Sequence, residues 1–127
     1  MRPRLLVAED DPALQSLFVR IFQFAGFEVD RAGDGDEALV YLEYSLPDVV
    51  ILDINLPGIS GLGIIEYLRQ HAYLSQVRVI VVSGDANAAR SQVLEEYADL
   101  VLIKPVDANH LVTLARRLVS QTLAKTA

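Results

Sequence analysis

The stretch Val49–Gly58, VVILDINLPG, decides how the chain folds. Four apolar residues, Val49 to Leu52, have the composition of a strand covered on both faces. They run straight into a carboxylate, Asp53, and the chain then turns through Asn55 and Pro57-Gly58. A core strand that ends in a charge makes sense if other strands deliver complementary groups to the same end.

Four more runs of strand length accompany it: Arg4–Ala8, Phe27–Arg31, Val77–Val82 and Leu100–Ile103, the central run being taken as Asp48–Leu52. All but Phe27–Arg31 are nearly continuous in Val, Ile and Leu, whereas that run alternates as an edge strand does. Helical periodicity fills the intervals. Leu14, Leu17, Phe18 and Ile21 share one face, Leu62, Ile65 and Leu68 a second, and Leu111, Leu114, Ala115 and Leu118 a third. Asp11 before Pro12, Asp34, Ser60, Asp85 and Asp107 suit helix N-caps. The fourth helix, Ala86–Tyr97, is the weakest, with only Val93, Leu94 and Tyr97 on its apolar face.

Strands alternating with helices predict right-handed crossovers and an α/β architecture. The expected fold is a single doubly wound, flavodoxin-like (βα)5 domain over residues 1–127, with a five-stranded parallel sheet of order 2-1-3-4-5. No apolar run approaches the roughly 20 residues of a membrane span. The short apolar N-terminus meets an acidic cluster at once and is not a signal peptide. Cysteine is absent, which excludes disulfides, thiol chemistry and zinc–thiolate sites and fits a cytoplasmic location. The net charge of −6, with eleven scattered basic residues, argues against direct nucleic-acid binding.

Ligands of such sheets bind at the carboxyl ends of the strands. The first strand ends in Glu9-Asp10-Asp11, the third in Asp53, the fourth in Ser83-Gly84-Asp85 and the fifth in Lys104-Pro105. Carboxylates brought within a few ångströms repel by kcal/mol even at an effective dielectric near ~20, so Glu9, Asp10 and Asp53 call for a cation. Oxygen donors that leave open positions suit Mg²⁺. Lys104 offers a point charge for a phosphoryl oxygen, and Ser83 a hydroxyl. A nucleophilic carboxylate, a metal, a cation and a hydroxyl are the parts of phosphoryl transfer to aspartate.

The segments LLVAEDDPAL, VVILDINLPGISGL, VVSGDA and VLIKPVDANHL resemble, in order and spacing, the CheY-like receiver domain of two-component response regulators, and the resemblance runs essentially end to end. It implies that Asp53 is the phosphoacceptor and that Mg²⁺ is held by Asp10 directly, by Glu9 through water, by Asp53 and by the backbone carbonyl of Asn55. It further implies that Ser83 follows the phosphoryl group, that Lys104 pairs with it, and that Lys104-Pro105 is a cis bond. The implied partners are a sensor histidine kinase or phosphotransfer protein and a downstream protein. No catalysis is implied beyond the domain's own phosphorylation and dephosphorylation. With no output segment after the fifth helix, the chain is expected to be a stand-alone receiver or part of a longer regulator or hybrid kinase.

Two departures from that pattern stand out. Receivers usually carry an aromatic residue three positions before the lysine, where this chain has Val101, and the interval from Ser83 to Lys104 is shorter than usual. An unorthodox output surface on the fourth helix, fifth strand and fifth helix is the expectation. Other residues read plainly. Asp11 is a cap, Asp85 is a cap or a residue that tunes water access to a phosphoaspartate, His71 and His110 are solvated, and Gly58, Gly61 and Gly63 serve turns and close packing. Two other function classes compete. A phosphatase with an aspartyl-phosphate intermediate commonly has a second aspartate two residues after the nucleophile, where this chain has Asn55. A non-switching interaction module with a vestigial site would have no need of Glu9, Asp10, Asp53, Ser83 and Lys104 together.

Overall fold

The computed structural model describes residues 2–126, with side chains as far as residue 122. Ten main elements alternate along the chain: β1 (Arg4–Ala8), α1 (Pro12–Phe24), β2 (Glu28–Ala32), α2 (Gly35–Ser45), β3 (Val49–Asp53), α3 (Gly61–Gln70), β4 (Arg78–Ser83), α4 (Gln92–Tyr97), β5 (Leu100–Ile103) and α5 (Ala108–Thr126). All strand pairs are parallel and the order is 2-1-3-4-5, as the alternation requires. Ala8 stands opposite Ala32 and Leu52, Asp53 opposite Val82, and Ser83 opposite Ile103. The strand ends are therefore level and form one rim.

Side chains alternate across a strand, so each apolar run feeds two cores. Leu6, Ala8, Val50, Leu52, Val79 and Val81 pack with Leu42, Ile64, Ile65, Leu68 and Leu94 on the side of α2, α3 and α4. Leu5, Val7, Val49, Ile51, Ile80 and Val82 pack with Phe18, Phe22, Leu111, Ala115 and Leu118 on the side of α1 and α5. Phe22 and Phe27 meet edge to face, with centroids 5.2 Å apart. Each such buried Val, Leu, Ile or Phe side chain contributes roughly 1.5–3 kcal/mol of transfer free energy, which is what holds β3 rigid beneath Asp53.

Three strands lie one residue later than their apolar runs. Phe27 is packed in the α1 core, Asp48 receives the Arg4 amide on its carboxylate at 2.8 Å, and Val77 donates to Leu74 O in a turn. The ladder instead continues through the polar residues Asp53 and Ser83, whose backbones are thus fixed as the last members of β3 and β4.

The caps form as expected for Asp11, Asp34, Ser60 and Asp107. Asp85 differs. Its carboxylate takes the amides of Asn87 and Ala88 and starts a single 3-10 turn, Ala88–Arg90. Ser91 is extended (φ −60°, ψ 139°), and its hydroxyl caps the six-residue α4. The predicted helix Ala86–Tyr97 breaks in two because before Val93 only the small side chain of Ala88 packs on the core and Ser91 favours a cap over a helix interior. Only Leu94 of α4 is fully buried.

At the opposite edge of the sheet from the rim, Asp99 ties several elements together. It accepts from Arg78 Nη1 (3.0 Å), Arg69 Nη2 (3.4 Å) and the Val79 amide (2.7 Å). Arg69 also donates to the carbonyls of Tyr97, Ser75 and Val77, closing the end of α4. Truncation in Arg69→Ala takes a donor from the partly buried Val77 carbonyl and Asp99 carboxylate and is expected to cost about 1–3 kcal/mol in a urea melt. A loss below the error of the melt would show that the network is decorative.

A second cluster joins α2 to the end of α3. Glu43 accepts hydrogen bonds from the Tyr67 hydroxyl and from Tyr73 (2.8 Å to each oxygen). His71 stacks on Tyr67 at 4.1 Å, and its Nδ1 lies 2.7 Å from Tyr67 O. It is therefore a packed histidine, unlike the expectation, because the Tyr67–His71 spacing puts both rings on one helix face. His110 is exposed. Hydrogen bonds from Tyr67 and then Tyr73 hold the Glu43 carboxyl below its usual range, and the same bonds push both phenols upward. A phenol raised in the fold contributes stability that is complete below its ordinary value of 10.0 and fades as pH climbs through the raised value. Ultraviolet titration should show two of the five tyrosines ionising after the others. In Glu43→Gln the late pair should rejoin the rest.

Candidate functional site

Register and strand ends converge on an acidic pocket. Glu9 and Asp53 are 2% and 5% exposed and Ser83 is fully buried, whereas Asp10 faces solvent. The carboxylates of Glu9, Asp10 and Asp53 offer oxygens within 4.8 Å of one another. Lys104, delivered by the end of β5, bridges two of them, with Nζ 2.9 Å from Glu9 Oε1 and 2.8 Å from Asp53 Oδ2. The Lys104-Pro105 peptide is cis.

The charges do not balance. One ammonium faces three carboxylates, and the consequences differ for each partner. Burial presses Lys104 toward neutrality, but its hydrogen bonds to Asp53 and Glu9 together outweigh that and raise it above the ordinary lysine value. Burial is also the largest influence on Glu9 and raises its carboxyl. The hydrogen bonds from Lys104 and the Asp11 amide only partly oppose this, and the Asp53 charge adds to it. The lysine thus gains from two anions while Glu9 shares one cation.

Backbone donors complete the pocket. The Asn55 amide donates to Asp53 Oδ1 at 2.9 Å, while the residue itself is exposed. Ser83 is at the rim but turned onto its own loop, accepting the Asp85 amide at 3.0 Å and donating to Asp85 O at 3.2 Å. The Lys104 amide donates to Ser83 O at 2.8 Å and locks β5 to β4. Glu9, Asp10, Asp53 and Lys104 are thus brought together. Asn55 joins them through its main chain, and Ser83 lies beside them with its hydroxyl engaged elsewhere.

An all-oxygen set with surplus negative charge fits a hard divalent cation. No hydrogen bond or ion pair anchors the Asp10 carboxylate among the described residues, so its repulsion from Glu9 and Asp53 is uncompensated. Asp10→Asn should therefore raise Tm in the presence of a chelator and remove the rise that added Mg²⁺ produces. A wild-type protein whose Tm ignores Mg²⁺ would contradict this.

One contributor has no signature in the motifs. Gln15, on the first turns of α1, donates from Nε2 to Glu9 O (2.9 Å) and to Ala32 O (3.0 Å). The available hint is that Gln15 precedes the buried residues Phe18 and Phe22 at helical spacing, a polar residue on a core-facing stripe.

Fold and rim together define a doubly wound (βα)5 protein with an acidic pocket over its strand ends. Residues 5–116 match the response regulator receiver domain, and the chain belongs to that family. Its members are phosphoacceptors of two-component systems rather than classical enzymes. The chain is 36% identical over 112 residues to the phosphate regulon transcriptional regulatory protein PhoB of Rhizobium meliloti, covering 87% of this chain and 49% of that one. It is 32% identical over 116 residues to the DNA-binding response regulator MtrA of Mycolicibacterium smegmatis, covering 91% and 50%. The chain thus spans about half the length of the curated relatives it matches. Among solved structures, a CheY-like response regulator receiver domain protein from Methanospirillum hungatei superposes with a TM-score of 0.90 at 25% identity, covering 98% of this chain and 99% of that one. A CheY-like receiver domain from Methylobacillus flagellatus gives 0.83 at 28% identity, covering 93% and 99%. No helix among the described residues is long and apolar enough to cross a membrane.

Proposed function

We propose that residues 1–127 form one receiver domain that accepts a phosphoryl group on Asp53 from the phosphohistidine of a sensor histidine kinase or phosphotransfer protein. The observation that carries this is a buried strand-end carboxylate with one oxygen on the Lys104 ammonium and the other on the Asn55 amide. An Asp53 oxygen attacks phosphorus, the phosphorus–nitrogen bond breaks, and the imidazole leaves with the bonding pair. Lys104 faces the transferred oxygens. Ser83 exchanges its donation to Asp85 O for one to the phosphoryl group. Asp10, Asp53 and the Asn55 carbonyl, with Glu9 through water, would hold Mg²⁺, which neutralises charge on the phosphoryl oxygens when bound. Later attack by water at phosphorus returns the free carboxylate.

The signal leaves through a surface that differs between the two forms, and a coupling of about 1–3 kcal/mol is enough to change a partner's affinity. Val101 is half-buried against the α2–α3–α4 core and supplies no ring. The Ser83–Asp85 turn, which also starts the 3-10 segment, is the part that phosphorylation would disturb. The relatives' names attach DNA binding to chains about twice as long; this acidic domain is taken to act on a downstream protein in the cytoplasm.

Val101 favours a second reading, a non-switching interaction module with a vestigial site. The test is incubation with Mg²⁺ and acetyl phosphate, read by intact mass. A gain of one phosphoryl mass that Asp53→Asn abolishes supports the receiver. Absence of labelling by the small donor and by a cognate kinase supports the module. Continuous turnover of a phosphate ester would point to a phosphatase, although Asn55 cannot act as the general acid there.

A further inference from the structure

We infer that Gln15 is a positioning residue for the acidic pocket, an assignment that rests on the receiver reading above. Every polar atom of Glu9 is held. Its amide donates to Ala32 O at 3.0 Å, and its carbonyl takes Gln15 Nε2 at 2.9 Å. Its Oε1 takes Lys104 Nζ, and its Oε2 takes the Asp11 amide at 3.1 Å. Three of these four anchors come from backbone or from the pocket itself. The fourth comes from a side chain of α1 that touches no reacting group.

Gln15 makes its bonds at the point where the ladder between β1 and β2 ends. The last register pair is Ala8 with Ala32, so Glu9 O lies beyond the sheet and has no strand partner. One amide nitrogen spans Glu9 O and Ala32 O and so extends the pairing by one position with a side chain. Asp10 follows directly and has no anchor of its own among the described residues. The direction in which its carboxylate leaves β1 is therefore set by the peptide that Gln15 holds. With that bond removed, Glu9 keeps its links to Lys104 and to the Asp11 amide, but the Glu9–Asp10 peptide loses the hydrogen bond on its carbonyl. The carboxylates then no longer present one preformed oxygen set.

Partners that orient metal ligands are commonly worth about tenfold or more in metal affinity, so Gln15→Met is expected to weaken Mn²⁺ binding about tenfold. The probe is Mn²⁺ alone, with the free ion counted by electron paramagnetic resonance, so no phosphodonor is needed. Gln15→Asn, too short to reach both carbonyls, should weaken binding in the same direction and serves if the methionine variant fails to fold. Arg69→Ala is the control for general destabilisation: it should lower Tm yet leave the Mn²⁺ affinity unchanged. Equal Mn²⁺ affinity in wild type and either folded Gln15 variant would overturn the assignment, as would a matching loss in Arg69→Ala. A wild-type protein that binds no Mn²⁺ would instead sink the receiver reading, and this inference with it.

Discussion

Lys104→Met should lower the unfolding free energy by about 3 kcal/mol, because it leaves two nearly buried carboxylates without a counter-charge. The ammonium sits 2.9 Å from Glu9 and 2.8 Å from Asp53, whose side chains are only 3% and 6% exposed. Methionine matches the length of the stem, so lost packing is a small part of the effect. The pH dependence separates charge from volume. Glu9 already titrates above its ordinary 4.5, and without the lysine it must rise further. A carboxyl raised in the fold contributes stability that is complete below 4.5 and is lost as pH rises through the raised value. The deficit of Lys104→Met should therefore be largest at neutral pH and narrow on acidification. Lys104 itself is raised, so the wild-type contribution persists below 10.5 and fades only in alkali. Adding Asp53→Asn to Lys104→Met should restore part of the loss. Urea melts from pH 4 to 8 measure all of this, and a pH-independent deficit would refute the electrostatic account.

Gly61→Ala should cost about 2–3 kcal/mol and also slow labelling of Asp53, linking packing to chemistry through one atom. A Cβ at Gly61 would lie 2.7 Å from Ile54 Cα and 2.8 Å from Asp53 O. Both are main-chain atoms, so no rotamer can relieve the clash. The Gly61 amide also donates to Ile54 O at 3.0 Å, which holds the start of α3 against the chain leaving Asp53. The Asp53–Ile54 segment must then move, and the carboxylate moves with it. Gly63→Ala is the comparison. Its Cβ meets chiefly the Ile59 Cγ2 methyl at 3.2 Å, which can yield, and alanine is the better helix former. Equal losses in the two variants, or normal labelling in Gly61→Ala, would break the proposed link.

What could be read from the residues follows from what packing demands. Strands covered on both faces must be apolar throughout, so β1, β3 and β4 are visible as runs and their order follows from the crossovers. The same criterion cut β3 and β4 short, because a ladder does not stop where side chains become polar; Asp53 and Ser83 are in the sheet. α4 was overextended because a helix with one buried residue, Leu94, leaves almost no periodic trace. The pocket was legible because Glu9, Asp10, Asp53 and Lys104 each carry charge at a strand end. Gln15 was not, since its partners are main-chain carbonyls 6 and 17 residues away, and every residue has one. Arg69 escaped for the same reason. His71 could have been placed from its spacing to Tyr67.

The Asp99 knot has a consequence for how the sheet comes apart. It fastens β4 and β5 where they begin, with the Asp99 amide on Val79 O and the Val79 amide on the Asp99 carboxylate. At the far end the Lys104 amide on Ser83 O is the tie beside the pocket. The pairing of β5 is therefore pinned at both ends, and at the pocket end one residue supplies the pins, through its amide and through its ammonium on Glu9 and Asp53. In amide hydrogen exchange, Lys104→Met should therefore speed exchange at residue 104 while leaving that of Asp99 unchanged.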